Sequence, residues 1–191
     1  MNLELIKISA IQALILTAAI PAFGWVMDCL IRMIYRAMSS LCGEGLTYFL
    51  FNRFTFVGVF HHELAHALLA TITGARVTRI VLFHPRGDQL GSVSYVTRGN
   101  KILTAIQHTF TAIAPIFCGG ITTFLLYTLL RSWSGPVWAY ALILYLMISI
   151  LMHMTMSSQD IRVMWKGIPV VYVIVWILLL GYHAIFASFL S

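Results

Sequence analysis

Three of the positions 62–66 carry ionisable side chains, His62, Glu63 and His66, within an otherwise apolar stretch. On a helix, residues four apart project from one face about one turn apart, so both imidazoles can reach a single metal ion. Zinc binds imidazole nitrogen at roughly 2.0–2.1 Å, which this spacing allows. Glu63 is adjacent to the first imidazole and can hold a water molecule and take its proton. The pattern predicts a zinc site with His62 and His66 as ligands and Glu63 as general base.

The apolar surroundings make this pattern more informative than it is in a soluble protein. A lone carboxylate in the centre of a membrane helix costs at least ~2.5–3.5 kcal/mol. A bound cation compensates that carboxylate, and neutral imidazoles serve as its ligands. The alternative is a cluster of hydrogen bonds between helices without a metal.

Asp160 is the predicted third ligand, because it lies on a later apolar stretch at a similar distance from the expected helix end. His66 is eight residues from Gly74 and Asp160 is seven from Gly167, which places both about 10–12 Å from the cytoplasmic surface. His153 is the rival ligand, about 10 Å deeper by the same rise. In another alternative, Asp160 forms an ion pair with a nearby base, Arg162 or Lys166.

The remaining histidines receive other expectations. His61 points away from the face that carries the pair. His108 either contacts substrate or makes a polar contact within the protein. His84 and His183 are expected to be structural.

The composition indicates one integral-membrane domain over residues 1–191. The chain is 60% hydrophobic and 9% charged, with a mean hydropathy of +0.91, which leaves too little polar surface for a soluble domain. The net charge of +6 comes from twelve basic residues scattered at the ends of apolar stretches. This pattern excludes nucleic acid as the expected partner and favours the lipid bilayer. The cysteines lack paired spacing and are expected to be free: Cys29, Cys42 and Cys118.

The predicted fold class is an all-α membrane protein with about five transmembrane helices and a short β-hairpin at the cytoplasmic face. Five apolar runs are long enough to cross roughly 30 Å of hydrocarbon. They cover about 8–30, 46–73, 104–130, a run beginning near Val137, and 169–190. The fourth run is too long for one span if it continues to Lys166, so Ser157 and Ser158 are expected to break it.

The segment 75–101 carries too many charges to span and is the expected hairpin. Its runs 77–83 and 91–96 are rich in β-branched and aromatic residues, and 84–88 has turn chemistry. Eight basic residues fall on the side of this hairpin and the N-terminus, against three or four on the other side. By the positive-inside rule, the N-terminus and hairpin are cytoplasmic. The eight are Lys7, Arg76, Arg79, Arg86, Arg98, Lys101, Arg162 and Lys166.

The H-E-x-x-H stretch from His62, followed by Gly74, a short β-segment and a later aspartate, resembles the site-2 protease family of intramembrane zinc metallopeptidases. The likeness covers about residues 57–167 and is greatest to the short bacterial-type branch. It implies that His62, His66 and Asp160 bind Zn²⁺, that Glu63 is the general base, and that an edge of the hairpin pairs with an unwound substrate. It also implies a bacterial cell membrane. The family's aspartate-glycine context is replaced here by 157–161, Ser-Ser-Gln-Asp-Ile.

The expected function is therefore hydrolysis of peptide bonds in membrane proteins or membrane-associated peptides. One alternative is a non-proteolytic membrane protein, such as an inactive homologue, accessory or sensor, that retains the metal site. Another is a transporter with a histidine-lined polar path, but no inverted repeat supports it. The substrate and the oligomeric state are not indicated by the sequence.

Overall fold

The computed structural model describes residues 3–84 and 90–190 and is mostly helical. Two antiparallel strands lie between the third and the fourth α-helix. The elements in chain order are α1 (Leu3–Cys42), α2 (Glu44–Tyr48), a π-helical segment (Phe49–Phe54), α3 (Phe56–Ile72), β1 (Arg76–Val81), β2 (Ser92–Val96), α4 (Lys101–Ser132), α5 (Val137–His153) and α6 (Ser158–Leu190).

Three helices among the described residues are long and apolar enough to cross a membrane, which supports a membrane protein. They are α1, α4 and α6, the last counted over Ser158–Phe186. Large apolar side chains cover their outer surfaces, and Leu14, Phe124 and Leu178 are each more than half exposed. Lipid can cover such a surface, whereas water cannot without large cost. Helices α3 and α5 are apolar but have only 17 residues each, so five spans stay a prediction.

The sequence-predicted second span is divided into three pieces. Residues 44–54 form α2 and the π-helical segment, and α3 starts only at Phe56. At its other end α3 stops where the glycine predicts, because Gly74 adopts φ 88°, a conformation that costs glycine little. The N–H of Gly74 then donates to Thr71 and that of Ala75 to Ala70, which satisfies two of the last carbonyls of the helix.

The hairpin that follows α3 is present as predicted. Strands β1 and β2 pair with Arg76 opposite Val96 and Val81 opposite Ser92, and one extra residue makes a bulge between Val77 and Arg79. The expected turn at 84–88 lies largely outside the described residues. Gln107 of α4 is fully buried and fastens the hairpin to the helices. Its amide donates to Thr73 at 3.1 Å and to the carbonyl of Arg98 at 3.2 Å, and its oxygen accepts from the N–H of Arg98 at 2.9 Å.

The last two predicted spans need correction. The break occurs at 154–157, which includes Ser157 of the serine pair expected to cause it, and α6 starts at Ser158 rather than near Pro169. Asp160 therefore lies in the first turn of α6 instead of near the end of the fourth span. Proline is tolerated inside α6 because neighbouring groups in a helical bundle can satisfy the carbonyl it leaves free.

The connector 154–157 is held inside the protein by its methionines. Met154 is 6% exposed and Met156 is 2% exposed. Met156 packs in a core cluster with side chains of α4 and α6: Ala112, Ile113, Ile116 and Met164, flanked by Ile20, Ile161 and Ile168. Irregular backbone at membrane depth is stable only where it is buried in protein or lines a water-filled cavity. This burial fixes where α6 begins, and with it the position of Asp160.

Candidate metal centre

The two histidines of α3 converge as their spacing predicts. Nε2 of His62 and Nε2 of His66 are 3.1 Å apart, and their rings meet edge to face. His66 is 7% exposed, and His62 is half-buried beside it. Both imidazoles therefore direct the same ring nitrogen to one point.

Backbone carbonyls from other elements set the tautomer of each ring. Nδ1 of His62 is 2.8 Å from the carbonyl oxygen of His153, and Nδ1 of His66 is 2.7 Å from that of Thr111. A carbonyl can only accept, so each Nδ1 carries the proton and each Nε2 presents a lone pair. This arrangement of outer hydrogen bonds is typical of metal-binding histidines.

Asp160 completes the group, although it comes from α6. Its Oδ1 is 3.6 Å from Nε2 of His66, and ligand atoms of His62, His66 and Asp160 all lie within 4.8 Å of one another. The other carboxylate oxygen, Oδ2, accepts from the N–H and the hydroxyl of Ser157. The ion pair considered from the sequence, with Arg162 or Lys166, is not formed among the described residues.

The donor set fits zinc. Tetrahedral ligands at roughly 2.0–2.1 Å from a zinc ion lie about 3.3 Å from one another, close to the spacings of 3.1 Å and 3.6 Å found here. Two imidazole lone pairs and a carboxylate converge with no proton between them, which is repulsive unless a cation lies among them. His62, His66 and Asp160 could therefore hold a zinc ion and leave a fourth position open.

Glu63 lines the same cavity as these three side chains and is 7% exposed. The backbone of Gly91, just before β2, covers it closely. A Cβ placed on Gly91 would lie 2.6 Å from Cγ and 2.8 Å from Oε1 of Glu63. Only a residue without a side chain allows the hairpin to approach the carboxylate this closely.

The sequence also matches a known family. Residues 55–170, more than half of the chain, match the DUF3267 family, whose description is "Putative zincin peptidase". The chain belongs to this zincin peptidase family. No curated protein and no solved structure matches the chain. The match supports a zinc-dependent peptidase and is not specific to site-2 proteases.

The zincin peptidase has a cavity around these residues. It measures about 370 Å³ and extends between α3, β2, the connector 154–157 and the start of α6. Tyr95 of β2 lines it, with its hydroxyl 3.2 Å from Nδ1 of His108 on α4. Burial, and then the charge of Asp160, raise the pKa of Tyr95 to about 12. The phenol is therefore a neutral hydrogen-bonding group at physiological pH.

The other histidines make contacts within the protein. Nε2 of His61 is 3.0 Å from Thr122, away from the pair, as expected. His153 offers its carbonyl to His62, while its ring Nε2 lies 3.1 Å from the hydroxyl of Thr55. Its side chain therefore stands outside the group of three ligand atoms. His183 is 2.9 Å from the hydroxyl of Ser9, a structural contact as predicted.

Several residues of the site were missed by sequence reasoning. Ser157 was expected only to break a helix, yet it hydrogen-bonds to Asp160, and Asp160 N–H donates back to its hydroxyl at 3.1 Å. Ser-x-x-Asp before an apolar run is a capping-box pattern and could have indicated this pairing. Gly91 and Tyr95 carry no comparable local signal, because their roles depend on how the hairpin docks.

Proposed function

We propose that this chain is an intramembrane zinc metalloendopeptidase in which His62, His66 and Asp160 hold the metal and Glu63 is the general base. The observation that carries the proposal is the convergence of two Nε2 lone pairs with Oδ1 of Asp160, beside a buried carboxylate. The zincin peptidase match supports the peptidase class.

The chain's own residues account for the remaining parts of a hydrolysis reaction. When bound, zinc supplies a Lewis acid that polarises the scissile carbonyl and lowers the pKa of water. Glu63 takes a proton from the attacking water and delivers it to the leaving amine. The hairpin backbone at Gly91 packs against Glu63 and restricts where its side chain can lie. The neutral hydroxyl of Tyr95 is a further hydrogen-bonding group in the same cavity.

We also propose the setting of this reaction. Five helices cross the membrane, and the N-terminus and the hairpin face the cytoplasm. The membrane is a bacterial cell membrane, and the chain is similar in mechanism to the short branch of the site-2 proteases. The apolar composition of α3 and α5 supports the additional two spans. The substrate is a membrane protein or membrane-associated peptide whose backbone unwinds at the cavity.

The test uses purified full-length protein in detergent, loaded with zinc, and a mixed set of single-span peptides analysed by mass spectrometry. Wild type is expected to cleave at least one peptide and to contain one zinc per chain. Glu63→Gln, which keeps the size of the side chain, should retain zinc and lose cleavage by a factor of about 10²–10⁴. Full cleavage by Glu63→Gln would exclude the mechanism.

A zinc-binding but non-proteolytic protein remains the second candidate. It shares the metal group and differs in turnover alone. Zinc content equal to one per chain, with no cleavage of any peptide by wild type, would favour it.

A further inference from the structure

The cavity extends well beyond the proposed ligands. Besides the metal group and β2, its walls include Asn52, Val59, His153 and Thr155. Asn52 precedes α3, whereas the hairpin follows it, so the two lie toward opposite ends of that helix. Ten residues separate Asn52 from His62, which corresponds to at most about 15 Å along a helix axis, because part of this stretch is π-helical. Hydrolysis itself does not need this additional length.

Asn52 belongs to the π-helical segment Phe49–Phe54. Such segments are rare and frequently occur at functional sites. Polar side chains around the end of this one are mutually satisfied. The hydroxyl of Thr55 donates to Phe51 at 2.6 Å, and the hydroxyl of Ser149 donates to Thr55 at 2.9 Å and accepts from the N–H of Gly58 at 2.7 Å. These hydrogen bonds stabilise the backbone where the π-helical segment ends.

The amide of Asn52 is different, because it has no hydrogen-bond partner among the described residues. The hydroxyl of Thr155 is likewise unpartnered there. Thr155 lies on the connector between the buried Met154 and Met156 and faces the same cavity. Both groups are open to the cavity, so a ligand that enters it can pair with them in place of water. Two such groups on one cavity indicate a ligand that brings its own donors and acceptors.

The chemistry of the two groups selects the ligand. Both are neutral, so an anion or a cation gains little there. An amide and a hydroxyl together offer donors and acceptors, as a peptide group does. An unwound segment inside a membrane must pair its N–H and C=O groups with protein.

We infer that Asn52, on the N-terminal side of α3, and Thr155, on the connector beside the metal group, bind the main chain of a bound peptide. An extended chain rises about 3.3 Å per residue. Asn52 therefore contacts the peptide up to about four residues from the bond that faces Glu63, and Thr155 contacts it closer to that bond. The inference rests on the proposed function for the identity of the ligand.

The experiment measures binding, so that it does not depend on hydrolysis. The protein carries Glu63→Gln and zinc, and the probe is a fluorescent, leucine-rich single-span peptide with a glycine pair at its centre, in detergent micelles. Asn52→Leu keeps the side-chain volume and removes the amide, and Thr155→Val does the same for the hydroxyl. Each is expected to weaken binding about five- to tenfold, the value of one hydrogen bond. Arg53→Gln, on the exposed neighbour, and Thr128→Val, outside the cavity, are the matched controls.

A second arm locates the contact. Peptides that each carry one backbone N-methyl group are compared in turn. A peptide methylated about four residues from its centre should bind more weakly to the Glu63→Gln protein, which keeps Asn52. Asn52→Leu should abolish that sensitivity. Equal binding to all variants, or no binding to the Glu63→Gln protein itself, overturns the subsite. If wild type cleaves nothing while Asn52→Leu still weakens binding, the subsite stands and the hydrolase proposal fails.

Discussion

The two carboxylate oxygens of Asp160 have different partners. Ser157 binds one of them and leaves the other to face the metal group. Oδ2 accepts from both the N–H of Ser157, at 2.9 Å, and its hydroxyl, at 2.6 Å. Oδ1 is thereby left to face His66 at 3.6 Å. Ser157 directly precedes α6, and its hydrogen bonds orient the carboxylate toward the metal group.

Ser157→Ala is expected to weaken zinc affinity about 10- to 100-fold, because partners that orient a ligand typically contribute that much. Competition with a chelator of known zinc affinity provides the measurement. Ser158→Ala, one residue later and exposed, should leave the affinity unchanged. Equal affinities for the two variants would show that Ser157 does not orient the ligand.

His153→Gln should keep one zinc per chain. The structure places the carbonyl of His153, rather than its ring, against the metal group, and glutamine can still pair with Thr55. His66→Gln, by contrast, removes a proposed ligand and should lose the metal. Metal analysis of both purified proteins decides between them, and loss of zinc from folded His153→Gln would restore His153 as a ligand.

Gly91→Ala should impair catalysis without removing zinc. The new Cβ would lie within 2.6 Å of Glu63, so the carboxylate or the hairpin must shift. A displacement of about 1 Å at a reacting group can lower the rate about 10²-fold. The control is Gly120→Ala, where a Cβ meets nothing within 4 Å. Peptide cleavage and zinc content are measured together, and unchanged cleavage by Gly91→Ala would contradict the close contact.

Stability should fall as the pH rises from about 10 to about 12, partly through Tyr95. An unperturbed tyrosine has a pKa near 10, whereas that of Tyr95 is raised to about 12. In this window the unfolded chain releases the proton and the folded chain keeps it, so raising the pH favours unfolding. Tyr95→Phe removes this contribution and should lose less stability between pH 9 and 11 than wild type. Thermal unfolding in detergent at both pH values provides the comparison, and equal losses would argue against the shift.

Local chemistry in the sequence was enough to predict the centre of the site. The i, i+4 spacing of His62 and His66 requires only a helix, and Gly74 marks where that helix ends through its backbone conformation. The hairpin was also predictable, because β-branched runs around turn residues are a local signal. Apolar composition indicated a membrane protein for the same reason: each residue contributes to it independently of the fold.

Tertiary structure decided the parts of the site that depend on distant residues. Asp160 reaches His66 because the buried Met156 fixes the connector before α6, and no local pattern encodes that packing. The same is true of the carbonyls of His153 and Thr111, which set the imidazole tautomers, and of Gly91, which meets Glu63 only after the hairpin docks. Side-chain spacing along one helix is a property of the chain, whereas contact between elements depends on how several apolar surfaces pack at once.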